Sequence, residues 1–215
     1  MDWKAKKMRE LEQFLLETEN KINNPIFLFS LRKVVSLLSN RDYFQQETQH
    51  VIEVCTFANE LLEFEGVTNK DSRNVVLVAS AIHDVGRFLE GNFVRRHSEV
   101  DLNSIAPFIS PQISKEHCKR ILNCVQRHST SSKIPPSSLE EKIVFDADNL
   151  TIFTNFGYKR WFFKAEDWGH VKDLTQADQT LKQLFELATR GEFFYLESSQ
   201  KILVDSFYSR ISEQQ

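Results

Sequence analysis

The stretch VVLVASAIHDVGRF, Val75–Phe88, ends an apolar run with an imidazole and a carboxylate side by side, His83 and Asp84. From Val75 to Ile82 only Ser80 is polar, so the run reads as a helix that is apolar nearly all round and belongs at the centre of a bundle. A bare aspartate there carries a severe desolvation cost. Two kinds of partner could offset it. One is an ordinary partner such as Arg87. The other is a metal ion, which an imidazole and a carboxylate ligate together and which the negative end of a helix also favours.

Further groups of the same types stand at inward positions elsewhere. In YFQQETQHVIEVCTFANELL, His50 shares a helical stripe with Tyr43, Val54, Phe57 and Leu61, away from the polar flank of Gln45, Gln46 and Gln49. In KIVFDADNLTIF, Asp146 and Asp148 are two residues apart and so lie on nearly opposite helix faces. Asp148 has Val144, Phe145 and Ile152 as helical neighbours and is expected to be the buried carboxylate. Asp146 has Lys142 and Asn149 and is expected to be solvated or to support the ligands from behind. His128 ends a helix whose inward stripe is Ile121, Cys124 and Val125, and His97 stands in RRHSEVD at the start of the preceding helix.

The elements that must position these groups are helical. Apolar residues recur at helical spacing in nearly every segment, and strict alternation is scarce, which predicts an all-α bundle. Helices are expected at 3–21, 27–39, 42–65, 71–85, 98–109, 115–128, 139–153, 156–165, 176–190 and 196–212. Gly66 and Gly86 suit left-handed stops, and Ser138 with Glu141 forms a capping-box pattern after the loop SSKIPPSS. Eighteen Phe, six Gly and five Pro suit packed helices. A net charge of -3 gives no case for nucleic acid or an anionic membrane surface. No run approaches the roughly 20 apolar residues that span a bilayer. The three cysteines, Cys55, Cys118 and Cys124, have no CxxC spacing, which argues against a disulfide framework and for a reducing cytoplasmic location.

His50, the His83–Asp84 pair and Asp148, in that order on successive helices, resemble the metal-binding set of the HD-domain metal-dependent phosphohydrolase superfamily. QHVIEVCTFANEL is similar to the family's first-histidine helix, ASAIHDVGR to its defining pair and FDADNL to its last-aspartate helix, so the resemblance covers about residues 43–155. It implies a single HD-type helical domain over residues 1–215, with helices of 156–215 packed on the core. It also implies hydrolysis of a phosphate ester, often of a nucleotide, by a metal-activated water. The implied metal ligands are His50, His83, Asp84 and Asp148, with His83 and Asp84 as the catalytic pair. The implied cofactor is a divalent ion, Mn, Fe, Ni, Co, Zn or Mg. In two-metal members extra histidines lie between the HD pair and the last aspartate. His97 and His128 match such positions, either for a second ion bridged by Asp84 or for substrate phosphate.

Arg87, Arg95 and Arg96 follow the HD pair and offer guanidinium forks to phosphate oxygens. Two departures separate the chain from known branches. Arg87 stands where one nucleotidase branch has glutamate, three residues after the HD aspartate, and the Gly-Tyr-Pro signature of cyclic-di-GMP phosphodiesterases is missing. The resemblance is nearest to the small stand-alone bacterial HD phosphohydrolases. The cluster YKRWFFKAEDW, Tyr158–Trp168, could stack a base or pack a C-terminal helix, and His117 and His170 read as surface residues. The closing amphipathic helices offer a surface for a homodimer. Two alternatives accompany the hydrolase reading: a catalytically silent HD-type module that binds a nucleotide or metal for regulation, and a di-iron oxygenase with a similar His and Asp set.

Overall fold

The computed structural model describes residues 3–39, 44–89, 100–167 and 172–212. Its helices are α1 (Trp3–Ile22), α2 (Pro25–Leu38), α3 (Phe44–Phe64), α4 (Lys70–Ile82), α5 (Val85–Leu89), α6 (Leu102–Ile105), α7 (Lys115–Arg127), α8 (Leu139–Leu150), α9 (Asn155–Asp167), α10 (Leu174–Thr189) and α11 (Glu197–Ser212). No strand occurs among the described residues, so the chain is all-α as its periodicity predicts. None of the described helices is long and apolar enough to cross a membrane.

Local chemistry sets several helix starts. Asn24, Asn69, Ser114, Ser138 and Asp173 each accept a backbone N–H at the first turn of α2, α4, α7, α8 and α10. A cap of this kind stabilises a helix by about 1 kcal/mol over alanine. The Ser138–Glu141 capping box forms in both directions.

Helix α4 occupies the centre: every residue from Asn74 to Ile82 is buried, with α2, α3, α7 and α8 packed around it. An all-apolar helix has no solvent-tolerant face, so four neighbours are what its composition demands. The expected single helix over 71–85 is instead two. Helix α4 stops at Ile82 with His83 as its cap, and α5 begins at Val85. Gly66 has the expected left-handed φ of +63° after α3, but Gly86 does not act as a left-handed stop. It lies inside α5, where a Cβ would come 2.4 Å from Val100 Cγ2. The glycine is there for close approach. The expected helix over 98–109 is reduced to α6 and a 3₁₀ turn at Ala106–Phe108, and the end of the helix expected over 139–153 is a 3₁₀ turn at Thr151–Phe153.

That last turn joins the C-terminal helices to the bundle. Phe153, 1 % exposed, meets Phe185, Phe193 and Phe194 edge-on at centroid distances of 6.2, 6.0 and 6.2 Å. Helix α11 packs against α3, α8 and the same turn.

Candidate metal centre

Helices α4, α7 and α8 end close together, and α3 passes beside them. His50 lies on α3, His83 caps α4 and Asp84 follows in the turn to α5. His128 caps α7, and Asp148 is in the last turn of α8. His50, His83, Asp84 and His128 are 2 %, 0 %, 3 % and 1 % exposed, whereas the Asp148 side chain is 23 % exposed and marks the open side. Each helix C-terminus carries roughly half a negative charge. Three such ends and two carboxylates gather at one buried point, which a cation would relieve.

The protons of the imidazoles sharpen this conclusion. His83 Nδ1 is 2.7 Å from the Ser80 carbonyl and His128 Nδ1 is 2.7 Å from the Val125 carbonyl. A carbonyl has no proton to give, so both Nδ1 atoms donate. His50 Nδ1 faces the Thr151 hydroxyl oxygen at 3.5 Å, and that hydroxyl already donates to the Asp148 carbonyl at 2.7 Å, so Nδ1 is the donor here too. Neutral His50 and His83 therefore present bare Nε2 lone pairs to each other at 3.1 Å. Burial first, then the charge of Arg160, pushes His50 down to about 4. Burial also lowers His83.

Lone pairs and ionised oxygens therefore face one another without a proton between them. His50 Nε2 is 3.2 Å from Asp148 Oδ1, and His83 Nε2 is 3.9 Å from the same oxygen. Two overlapping triplets, His50–His83–Asp148 and His83–Asp84–His128, keep their donor atoms within 4.8 Å of one another. Mixed imidazole and carboxylate donors, with Nδ1 fixed by carbonyls, fit a divalent transition ion.

Asp84 is the hub. Its Oδ2 is 3.8 Å from His50 Nε2, 3.6 Å from His83 Nε2 and 3.3 Å from Arg160 Nη2. Its Oδ1 is 3.8 Å from His128 Nε2 and 3.6 Å from Arg87 Nε. The ordinary partner foreseen for Asp84, Arg87, is thus present together with the ligand-type donors.

The structure brings together His50, His83, Asp84, Arg87, His128 and Asp148. His97, Arg95, Arg96 and His170 lie outside the described residues. His117 sits 3.8 Å from Asp71 Oδ2, remote from the cluster. Asp146 needs a correction: it is fully buried, neither solvated nor behind the ligands. It faces the C-terminal segment, where it accepts from the backbone N–H of Tyr195 and Leu196 and from the Ser199 hydroxyl. Glu47 was not foreseen, and Arg160 was read only as part of a run that could stack a base beside the phosphate site, not as an ion-pair partner of Asp84. Glu47, 2 % exposed, pairs with Arg160 at 2.8 Å. A local signal for Glu47 existed, because it lies three residues before His50 on the same inward stripe. Arg160 belongs to the YKRWFF run, whose aromatic members pack: Tyr158 stacks on Trp161 at 6.3 Å, and Trp161 covers Phe162 and Ala177.

Comparison with known proteins agrees with this geometry. The HD domain family model matches residues 48–152. The crystal structure of Bacillus subtilis YpgQ in complex with ADP superposes with a TM-score of 0.59 at 22 % identity, covering 92 % of this chain and 94 % of that one. The selenomethionine form of YpgQ gives 0.58 at 20 % identity, covering 88 % and 93 %. At these identities the likeness is one of fold. No curated protein sequence matches the chain significantly. Residues 48–152 thus match the HD domain, a family whose members are typically metal-dependent phosphohydrolases, and the helical bundle is shared along nearly its whole length with YpgQ.

Proposed function

We propose that the protein is a metal-dependent phosphohydrolase that cleaves a phosphate ester of a nucleotide or a related small molecule. The observation that carries this reading is the pair of Nε2 atoms of His50 and His83, 3.1 Å apart, with both Nδ1 protons committed elsewhere. His50, His83, Asp84 and Asp148 would hold a divalent ion, Mn, Fe, Ni, Co, Zn or Mg, and His128 completes a second triplet with His83 and Asp84. A divalent ion in such a site acidifies water and polarises a phosphoryl oxygen.

The chain's own residues supply the rest. Ser80, Val125 and Thr151 fix the imidazole rings, so Nε2 of each histidine points inward as an acceptor. Asp84 is oriented by a guanidinium at each oxygen. Arg87 stands one helical turn past His83 and is suited to grip phosphate oxygens in a fork. Arg95, Arg96 and His97 are assigned to the same site from the sequence. His128 Nε2 can also accept a proton beside Asp84 Oδ1. The partial exposure of Asp148 supports substrate entry on that side. The ADP bound by YpgQ supports a nucleotide as the substrate class. We also take the chain as one HD-type unit, because Asp146 and the Phe153 cluster bind the C-terminal helices to the HD core, and its cysteine usage supports a reducing cytoplasm.

The test is phosphate release from ADP and a panel of nucleotides with added manganese. Turnover should vanish on chelation and in Asp84→Ala; a fully active Asp84→Ala protein contradicts the proposal. ADP-induced thermal stabilisation with no product over hours would instead support a silent regulatory module.

A further inference from the structure

Helix α9 lies beyond the segment matched by the HD family model, yet it sends a guanidinium to the metal centre. Its start is fixed at close quarters. A Cβ on Gly157 would fall 1.7 Å from the Thr151 carbonyl oxygen, so only glycine lets α9 approach the turn that carries the hydroxyl partner of His50. Thr154 Oγ1 accepts from the Gly157 N–H at 2.8 Å and is within 3.1 Å of Glu53 Oε2 on α3. Arg160 follows Gly157 by three residues, on the same side of the helix.

The Arg160 side chain is 11 % exposed, and both of its ion pairs run through Nη2: 2.8 Å to Glu47 Oε2 and 3.3 Å to Asp84 Oδ2. Its Nε–H is buried with no acceptor among the described residues. A guanidinium has five N–H donors in a rigid fork, and one nitrogen satisfying two carboxylates leaves most of that fork for another planar or tetrahedral oxyanion. Asp84 Oδ2 is also the oxygen turned toward His50 and His83 Nε2, so the fork stands at the metal centre itself. An arginine serving only as a counter-charge to Glu47 and Asp84 would have no need to bury an unsatisfied Nε–H.

We infer that Arg160 binds phosphoryl oxygens of the substrate through the guanidinium donors that Glu47 and Asp84 leave free, and that buried Glu47 is its positioning residue. This rests on the phosphohydrolase reading for the identity of the substrate, but its anion chemistry is testable alone. The substrate site is then a clamp, with Arg87 at Asp84 Oδ1 and Arg160 at Asp84 Oδ2.

The experiment titrates inorganic phosphate and ADP calorimetrically into wild-type, Arg160→Lys, Arg160→Ala and Glu47→Gln proteins. Each is taken manganese-loaded and chelator-treated, with metal content and melting temperature recorded for every sample. Arg160→Lys should keep the metal and the melting temperature while phosphate affinity falls about tenfold, because the charge stays and the fork is lost. Glu47→Gln should weaken phosphate binding less, by about threefold, and guanidinium ion added to Arg160→Ala should restore part of the lost affinity. Unchanged phosphate affinity in Arg160→Lys overturns the inference. Loss of bound metal or of the fold in Arg160→Lys also overturns it, because the guanidinium would then serve the protein's own carboxylates. A wild-type protein that takes no metal would contradict the proposed function instead, and the chelator-treated series would still read the role of Arg160.

Discussion

Asp146 and Asp148 stand two residues apart on α8 and meet opposite fates on its two faces. Asp146 is wholly buried, and the protein itself supplies its donors: two backbone N–H groups and a hydroxyl at 2.7 to 3.1 Å. Asp148 is partly exposed and meets the Nε2 lone pairs of His50 and His83, which have no proton to offer. One carboxylate is complete within the chain; the other is complete only with a cation. Burial alone would have ranked them the wrong way round as ligand candidates. What separates structure from function on this helix is whether the atoms facing the carboxylate are donors or acceptors.

This contrast can be broken by exchanging the two sites. The largest effect is expected from Asp148→Ala, which should lose bound metal and turnover together, while the chelator-treated protein unfolds in urea at or above the wild-type midpoint. Removing a carboxylate that faces lone pairs takes away repulsion. Asp146→Ala should do the opposite: metal content unchanged, stability lower by about 3 kcal/mol in urea unfolding, because buried N–H donors are left unmade. If Asp146→Ala lost the metal with its stability intact, the two faces would have been misassigned.

A smaller effect sharpens the ligand side. Thr151→Val removes the hydroxyl that faces His50 Nδ1 at 3.5 Å, and metal affinity measured by competition with a chelating dye should fall about tenfold. An unchanged affinity would mean that packing alone orients the ring.

A further effect concerns pH. Burial pushes the Asp146 carboxyl up to about 6 despite the hydrogen bonds it accepts. A carboxyl raised on folding binds its proton more tightly in the native state, so its contribution to stability is full below the ordinary aspartate range and is lost as pH rises through about 6. In chelator-treated protein the stability difference between wild type and Asp146→Asn should therefore change between about pH 4 and pH 6 and be flat above pH 7. A difference that is flat throughout would place Asp146 in its ordinary range.

Much of the ligand side was legible in the sequence, because each group lies on a local helical stripe. His50 shares its face with Val54, Phe57 and Leu61, and His83 and Asp84 close an apolar run, so periodicity alone turns them inward. The partners that complete the picture were not legible. Asp146 is satisfied by Tyr195, Leu196 and Ser199, 49 to 53 positions away, and no local pattern announces such donors. Arg160 meets Glu47 across 113 positions, and its aromatic run reads equally as a base-stacking surface or as packing, with nothing local to announce the ion pair. The break between α4 and α5 was also invisible, since no glycine or proline stands at His83 or Asp84, where the helix stops.

The most direct test of the central claim is the metal content, by elemental mass spectrometry, of wild-type protein purified without chelator or nickel affinity, run beside Asp84→Ala. A stoichiometric divalent transition metal in the wild type and none in Asp84→Ala is the predicted result. A wild-type protein that is empty and also refuses added manganese would contradict it, and would mean that the facing lone pairs of His50 and His83 share a proton instead.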